Sequence, residues 1–482
     1  MRIASRRRPG LRLFAVLVLV GVPGASAPVA AVAPATGGAR PAVRAAYVPT
    51  GPCRAAELIA GAPYAASGGR SRAGAVAVRY ADTAGPDLLT QDPPEPGAGF
   101  GAALAVGDFD RDRCPDLAVG MPDRFFGLRR PGVEGHGAVR IYLGSPYGLR
   151  PARLLSAADL RRPYGTDRFG AALAAADLDG DRDAELVVGA PGMDGGRVAV
   201  FGLNGRGLRP GPVIGQRTPW VGQTPAATDG FGAVLATGDL DGDGAAEIAV
   251  GAPGDGPRSE GSVTVLDPVA RTADHLSQNE PGIDGTPERL DHFGAALAAG
   301  DFDGDGRDEL AIGVPGEEGG QGASTGYGQG AVQVVDGRSH RQTGRTWTGR
   351  GGEGPYDRFG AALAAGDLTG DGIDDLAVGA PGHSTVTVLR GSDRGLTRRK
   401  ATTIGSPLGP DGQFGWSLAV RRGALLIGAP GASGFGGAVA MTGGPSSVPG
   451  RVTAASGSDG SFAPDTTVVP LPVRGLLGYS FG

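Results

Sequence analysis

HFGAALAAGDFDGDGRDELAIGVP, residues 292–315, holds three signals in one span: a Phe-Gly pair, an acidic loop and a Gly-Val-Pro. Phe293 to Gly300 is an apolar run rich in Ala and Leu, short enough for a strand buried on both faces, and Asp301 breaks it abruptly. Asp301, Asp303, Asp305 and Glu309 then fall at relative positions 1, 3, 5 and 9, with Gly306 at position 6. Alternate acids in a tight loop turn several carboxylates towards one point. Gly at position 6 permits the positive φ of the turn, and position 7 offers a main-chain carbonyl. The result is an all-oxygen cage for a hard cation. Leu310, Ile312 and Val314 alternate as a second strand, which Pro315 ends because it has no N–H to give to a central ladder.

The same signals recur along the chain. Phe-Gly stands at Phe100, Phe169, Phe231, Phe293, Phe359 and Phe414, at intervals of 69, 62, 62, 66 and 55 residues. Gly-x-Pro stands at Gly61, Gly120, Gly189, Gly251, Gly313, Gly379 and Gly428, one more than the Phe-Gly pairs, so the chain begins inside a repeat. Its end, Leu477-Gly478-Tyr479-Ser480, matches Phe414-Gly415-Trp416-Ser417 and supplies the missing start. A third strand opens after each variable loop, as in Gly137-Ala-Val-Arg-Ile and Gly261-Ser-Val-Thr-Val, and a less regular fourth follows, as from Gly344 to Thr348. Roughly four strands per repeat, no helical period and a spacing of about 60 residues describe a propeller blade, not a helical solenoid. The expected fold is all-β: a seven-bladed β-propeller, closed by pairing of the N- and C-terminal segments in one blade so that no sheet edge stays open.

Composition agrees with a repeat fold. Gly 90 and Pro 39 make up about 27% of 482 residues, a level that marks low complexity unless the glycines are periodic, as here. The net charge of −5, with both signs mixed, gives no basic footprint for nucleic acid. Arg6, Arg7 and Arg8 precede an apolar stretch from Leu11 to Val22, the pattern of an export signal. Residues 1–31 therefore read as a signal peptide, 32–52 as a linker and 53–482 as the propeller, with no membrane span in the mature chain. Secretion and a monomer are expected. Cys53 and Cys114 lie just ahead of second-strand motifs in neighbouring repeats; one disulfide between blades and two separate thiols both fit.

Five loops carry the acidic pattern: Asp108, Asp110, Asp112, Asp116; Asp177, Asp179, Asp181, Glu185; Asp239, Asp241, Asp243, Glu247; Asp301, Asp303, Asp305, Glu309; and Asp367, Thr369, Asp371, Asp375. Cys114, Asp183, Ala245, Arg307 and Ile373 stand where a main-chain oxygen is needed. Acids packed this closely repel one another without a cation. The all-oxygen set argues against zinc, and several protein oxygens per loop favour Ca²⁺ over Mg²⁺, at up to five sites. Arg113 and Arg182 replace the preferred Gly in the first two loops and Thr369 removes a charge from the fifth, so the third and fourth loops should bind best.

These combined motifs resemble FG-GAP repeats, the units of the propeller at the head of integrin α chains, over roughly Cys53 to Gly482. The resemblance implies the propeller fold, calcium in the acidic loops, and ligand binding by loops on a propeller face. The expected function is that of an extracellular ligand-binding or adhesion-like module for a protein or glycan. In this topology the loops between second and third strands open opposite the acidic loops. The long one from Asp123 to His136 offers Phe125, Phe126, Arg129 and Arg130, residue types enriched at binding hot spots. The alternative is a secreted hydrolase or lyase on a propeller, acting on an extracellular polymer. Against it, the inner strands offer Ala and Leu where a catalytic funnel needs polar groups. Gly478-Tyr479-Ser480-Phe481-Gly482 has the pattern of a nucleophile elbow but no downstream acid and His.

Overall fold

A computed structural model describes residues 53–442, apart from 55, 81–86, 125–135, 161–166, 193, 204–206, 319–327, 350–355, 407–412, 422 and 430–437. Seven antiparallel sheets follow one another along the described chain, each with its strands in sequence order. Five have four strands; the first and last have three. The fifth sheet is typical: Ala296–Gly300, Glu309–Val314, Ala331–Val335 and Trp347–Thr348. The first sheet, Ala56–Ala62, Ala75–Tyr80 and Asp87–Leu89, starts at a second strand, as the surplus Gly-x-Pro requires. The last holds Ser417–Arg421, Ala424–Ala429 and Ala438–Thr442. First strands of successive sheets, from the second sheet to the seventh, pack side by side. All-β repeats of four-stranded antiparallel sheets arranged this way fit a β-propeller. The segment proposed to close the ring, Leu476 to Gly482, lies outside the described residues, as do the signal peptide and linker.

The repeat signatures are the joints between sheets. Each Phe of the Phe-Gly pairs is at most 2% exposed and packs between its own sheet and the one before. The fourth and fifth sheets, for example, share a core of Phe293, Leu310, Ile312 and Val314 with Val263 and Val265. Glycine is required where backbones meet. A Cβ on Gly261, which opens a third strand, would lie 2.4 Å from the main-chain N and O of Phe293 in the next sheet. One on Gly313 of Gly-Val-Pro would lie 2.1 Å from the Gly360 carbonyl oxygen. Phe-Gly itself is not part of the first strand, as the apolar run suggested. Gly294 has φ +84°, and the Ala295 N–H donates to the His292 carbonyl (2.9 Å), so a turn comes first and the strand begins at Ala296.

A disulfide joins Cys53 to Cys114 and ties the lead-in of the first sheet to the acidic loop of the second. Arg54 strengthens the same joint: its N–H donates to the Ser145 carbonyl (3.1 Å), and its guanidinium stacks 4.1 Å from the centre of the Tyr80 ring. Trp347 is 5% exposed in a fourth strand, flanked by Arg345 and Arg398. Among the described residues no helix is long and apolar enough to cross a membrane.

Candidate metal centres

The five acidic loops join first to second strands in the second to sixth sheets, so all lie on one edge of the fold. Their backbone is built the same way five times. The N–H at position 6 donates to the carboxylate at position 1: Arg113 to Asp108 (2.8 Å), Arg182 to Asp177 (2.7 Å), Gly244 to Asp239 (3.0 Å), Gly306 to Asp301 (3.0 Å) and Gly372 to Asp367 (2.9 Å). That residue is left-handed throughout, with φ +93° at Gly244 and +89° at Gly306, but also +67° at Arg113 and +72° at Arg182. Arginine there carries a steric penalty that glycine does not. In the seventh sheet only two residues, neither of them acidic, separate Ser417–Arg421 from Ala424–Ala429.

The carboxylates at positions 1, 3 and 9 converge in four loops. Asp108, Asp110 and Asp116; Asp177, Asp179 and Glu185; Asp239, Asp241 and Glu247; and Asp301, Asp303 and Glu309 each bring oxygens within 4.8 Å of one another. The position-5 acids stand outside these trios. Their carboxylates accept the N–H two residues on, as Asp243 does from Ala245 (2.8 Å) and Asp305 from Arg307 (3.0 Å), a bond that the position-3 acids Asp241 and Asp303 make as well (both 3.0 Å). In the second sheet Asp110 Oδ1 is buried with no hydrogen-bond partner, and in the sixth sheet Thr369 Oγ1, at the same position, is too. Orphaned oxygens aimed into an all-oxygen set fit a hard cation.

Position 9 comes in two forms. Glu185, Glu247 and Glu309 each accept one bond, from the N–H at position 2, at 2.9, 2.8 and 2.9 Å. The shorter Asp116 and Asp375 accept two. Asp116 takes Phe109 and Gly144 N–H (both 2.7 Å), and Asp375 takes Leu368 (3.1 Å) and Gly391 (3.0 Å). Gly144 and Gly391 open the only described third-to-fourth-strand turns of the form Gly-Ser-x-x-Gly-Leu. That covariation within the chain was readable from sequence and is absent from a spacing rule built on position 9 as a ligand alone.

Electrostatics follow burial. It pushes Asp116 up to about 8, Glu185, Glu247 and Glu309 to about 7, and Asp375 to about 6, with backbone N–H bonds opposing the rise and loop carboxylates adding to it. A bound cation reverses this by favouring the ionised form. Asp367 goes the other way: burial works against ionisation but is outweighed by N–H bonds from Gly372, Gly370, Asp371 and Thr369, which hold it below the ordinary carboxylate value. Successive loops are also linked through backbone: Ala246 N–H to Asp177 O (2.8 Å), Asp308 to Asp239 (2.9 Å) and Asp374 to Asp301 (2.9 Å). Arg111 of the first loop reaches Asp181 (3.1 Å) and Asp183 of the second.

Phe125, Phe126, Arg129 and Arg130 lie outside the described residues. The chain leading to them is anchored: Asp123 meets Arg168 (3.5 Å), and Arg124 meets Glu95 (3.4 Å). Sequence reading passed over a second repeated acid, two residues before Phe-Gly: Asp167, Asp229, Asp291 and Asp357, all at most 9% exposed. Each accepts at its main-chain oxygen the N–H of the Gly that follows Gly-x-Pro in the same sheet, for example Gly316 to Asp291 (3.1 Å).

The FG-GAP repeat family matches residues 100–142, 169–201, 231–266, 293–335 and 359–394. Integrin alpha-PS2 of Drosophila melanogaster is 31% identical over 239 residues, which cover 45% of this chain and 15% of that protein. Phosphatidylinositol-glycan-specific phospholipase D of Rattus norvegicus is 35% identical over 150 residues, covering 29% of this chain and 17% of that one. The matches thus span less than a fifth of either relative's length. Among solved structures, a Bacillus licheniformis rhamnogalacturonan lyase aligns over 70% of this chain and 57% of its own at 14% identity and a TM-score of 0.34, a likeness too slight to speak to fold or chemistry.

Proposed function

Because the chain is an FG-GAP repeat protein resembling the N-terminal propeller of integrin α chains, we propose that it is a secreted, calcium-stabilised seven-bladed propeller that binds an extracellular protein or glycan. The observation that carries this reading is the fourfold convergence of carboxylates on one edge of the repeats. Calcium there fixes the first-to-second-strand loops and leaves the opposite edge to recognise the ligand, through the loop holding Phe125, Phe126, Arg129 and Arg130. The protein acts as a monomer. The terminal segment Leu476 to Gly482 supplies the inner strand of the first sheet; its deletion should aggregate or markedly destabilise the protein, and a monomer that melts like the parent would refute the closed ring.

Binding is favoured over catalysis because the described inner strands are mostly small and apolar, as in Ala296–Gly300 and Ala362–Gly366, both Ala-Leu-Ala-Ala-Gly. The clustered acids are bound up in loops that hold their own backbone. A protein and glycan binding screen in calcium and in chelator, run beside a hydrolase and lyase panel, tests the reading. Saturable, calcium-dependent binding without turnover is expected; bond cleavage that tracks the purified chain would overturn it.

A further inference from the structure

Successive acidic loops meet through the residues that would hold a cation. At position 8, just before the last carboxylate, the N–H donates to the main-chain oxygen at position 1 of the preceding loop: Ala246 to Asp177 (2.8 Å), Asp308 to Asp239 (2.9 Å) and Asp374 to Asp301 (2.9 Å). Between the fourth and fifth sheets Asp308 closes a second bond, since its Oδ2 accepts the Asp239 N–H (3.1 Å). Both main-chain polar groups of the first acid of one loop are therefore held by the residue that precedes Glu309, the last acid of the next.

This joint is close-fitting. A Cβ on Gly238, just before Asp239, would lie 2.5 Å from Asp308 Oδ2. One on Gly242, at position 4 of the same loop, would lie 2.7 Å from Arg307 Cγ, so the position-7 side chain of the fifth-sheet loop lies over the fourth-sheet loop. The joint between the third and fourth sheets is thinner. Its position 8 is Ala246, with no carboxylate to offer, and a Cβ on Gly180, at position 4, would meet nothing within 4 Å. Pro115 and Ala184 stand at position 8 in the first two loops, so folding such a loop does not require an acid there. Asp308 serves the contact between loops.

We propose that Asp308 is a positioning residue that couples cation binding in the fourth-sheet loop to cation binding in the fifth, so that filling either site tightens the other. The inference rests on the calcium reading of the loops. Fixing the Asp239 carboxylate at its site orders the main chain at residue 239. Through the two bonds it also orders Asp308, and with it Glu309 on the adjoining residue. The second site then loses less conformational freedom on binding, and linkage makes the gain equal in both directions. Repulsion between the two bound charges opposes this, but the loop carboxylates and salt screen it.

The test measures the overall constant for loading the full chain with calcium, by competition against a chromophoric chelator, in the parent, Asp241→Ala, Asp303→Ala and the double variant. Each single change removes one site. With coupling, the product of the two single losses exceeds the loss in the double variant, by roughly tenfold here. For Asp179→Ala with Asp303→Ala, in loops that do not adjoin, the ratio should stay close to one. In an Asp308→Ala background the ratio for the adjoining pair should fall to about one, whereas Asp308→Asn, which keeps an oxygen for the Asp239 N–H, should preserve it. A ratio of one in the parent background, with one ion lost per single variant, would overturn the coupling and leave the loops as calcium sites. A parent that binds no calcium would overturn both. A ratio that survives Asp308→Ala would overturn the role given to Asp308. The comparison of the two pairs uses no variant at residue 308, so it decides the coupling even if Asp308→Ala does not fold.

Discussion

The acidic loops of the fifth and sixth sheets are neighbours with the same spacing and five of nine residues in common, DFDGDGRDE and DLTGDGIDD, yet they are held together differently. In the first, Asp301, Asp303 and Glu309 bring three carboxylates within 4.8 Å, and Glu309 gives only one oxygen to the backbone. In the second, Thr369 replaces one acid, Asp375 gives both oxygens to Leu368 and Gly391, and Asp367 takes four backbone N–H groups where Asp301 takes three, which holds its pKa below the ordinary carboxylate value. One loop is a charged trio that calls for a cation; the other lacks one of the three carboxylates, gives more of its oxygens to the backbone, and leaves only Thr369 Oγ1 without a partner. Identical spacing therefore does not mean equal dependence on metal.

The largest effect expected from this contrast is in calcium. Asp303→Ala should remove about 2.7 kcal/mol of stability, the linkage worth of a site held at roughly a hundredfold over its dissociation constant. Thr369→Ala should cost well under that, since no charge is lost. Thermal unfolding of both in calcium and in chelator checks the pair; equal losses would erase the distinction. In chelator Asp303→Ala should be neutral or stabilising, because it relieves like-charge repulsion.

A second difference shows in pH. Glu309 is pushed up to about 7 against an ordinary value of about 4.3 in the unfolded chain. The folded, metal-free protein therefore holds the extra proton, and stability falls as pH rises from about 4.3 through 7. Asp367 has the opposite sign: its depressed value contributes stability above the unfolded pKa that is lost as pH falls through the folded one. Melting in chelator across pH 4.5–8 should show a downward slope, on the order of 1–2 kcal/mol smaller in Glu309→Gln than in the parent. A slope unchanged by that substitution would mean the carboxyl is not strained. The smallest effect is a gain: Thr369→Asp should stabilise the sixth-sheet loop by about 1 kcal/mol in calcium and destabilise it in chelator, and the same sign in both would show that no ion enters.

Much of this was legible in the chain. Phe-Gly and Gly-x-Pro located the sheets because they are contact points where backbones touch, and only Gly fits at positions such as Gly313. Positions 1, 3 and 9 were readable because carboxylate spacing in a tight loop fixes direction. The spacing rule does not say which oxygens the loop's own backbone uses: Asp303 takes the Asp305 N–H and Asp305 takes the Arg307 N–H, and of the two only Asp303 falls in the trio. The turn at Phe293-Gly294 was misread as strand because an apolar run does not reveal a positive φ. Asp291 and its equivalents were missed for a different reason: one acid in a turn is a common sight until its burial is known.

The most direct test of the central claim is anomalous diffraction from crystals grown in calcium. The account predicts ions between the position 1, 3 and 9 carboxylates of the second to fifth sheets, with the strongest peaks at Asp239–Glu247 and Asp301–Glu309, where Gly244 and Gly306 take the left-handed turn without penalty, and the weakest at Asp367–Asp375. Loops empty of calcium, or a sixth-sheet site as fully occupied as the fifth, would contradict it.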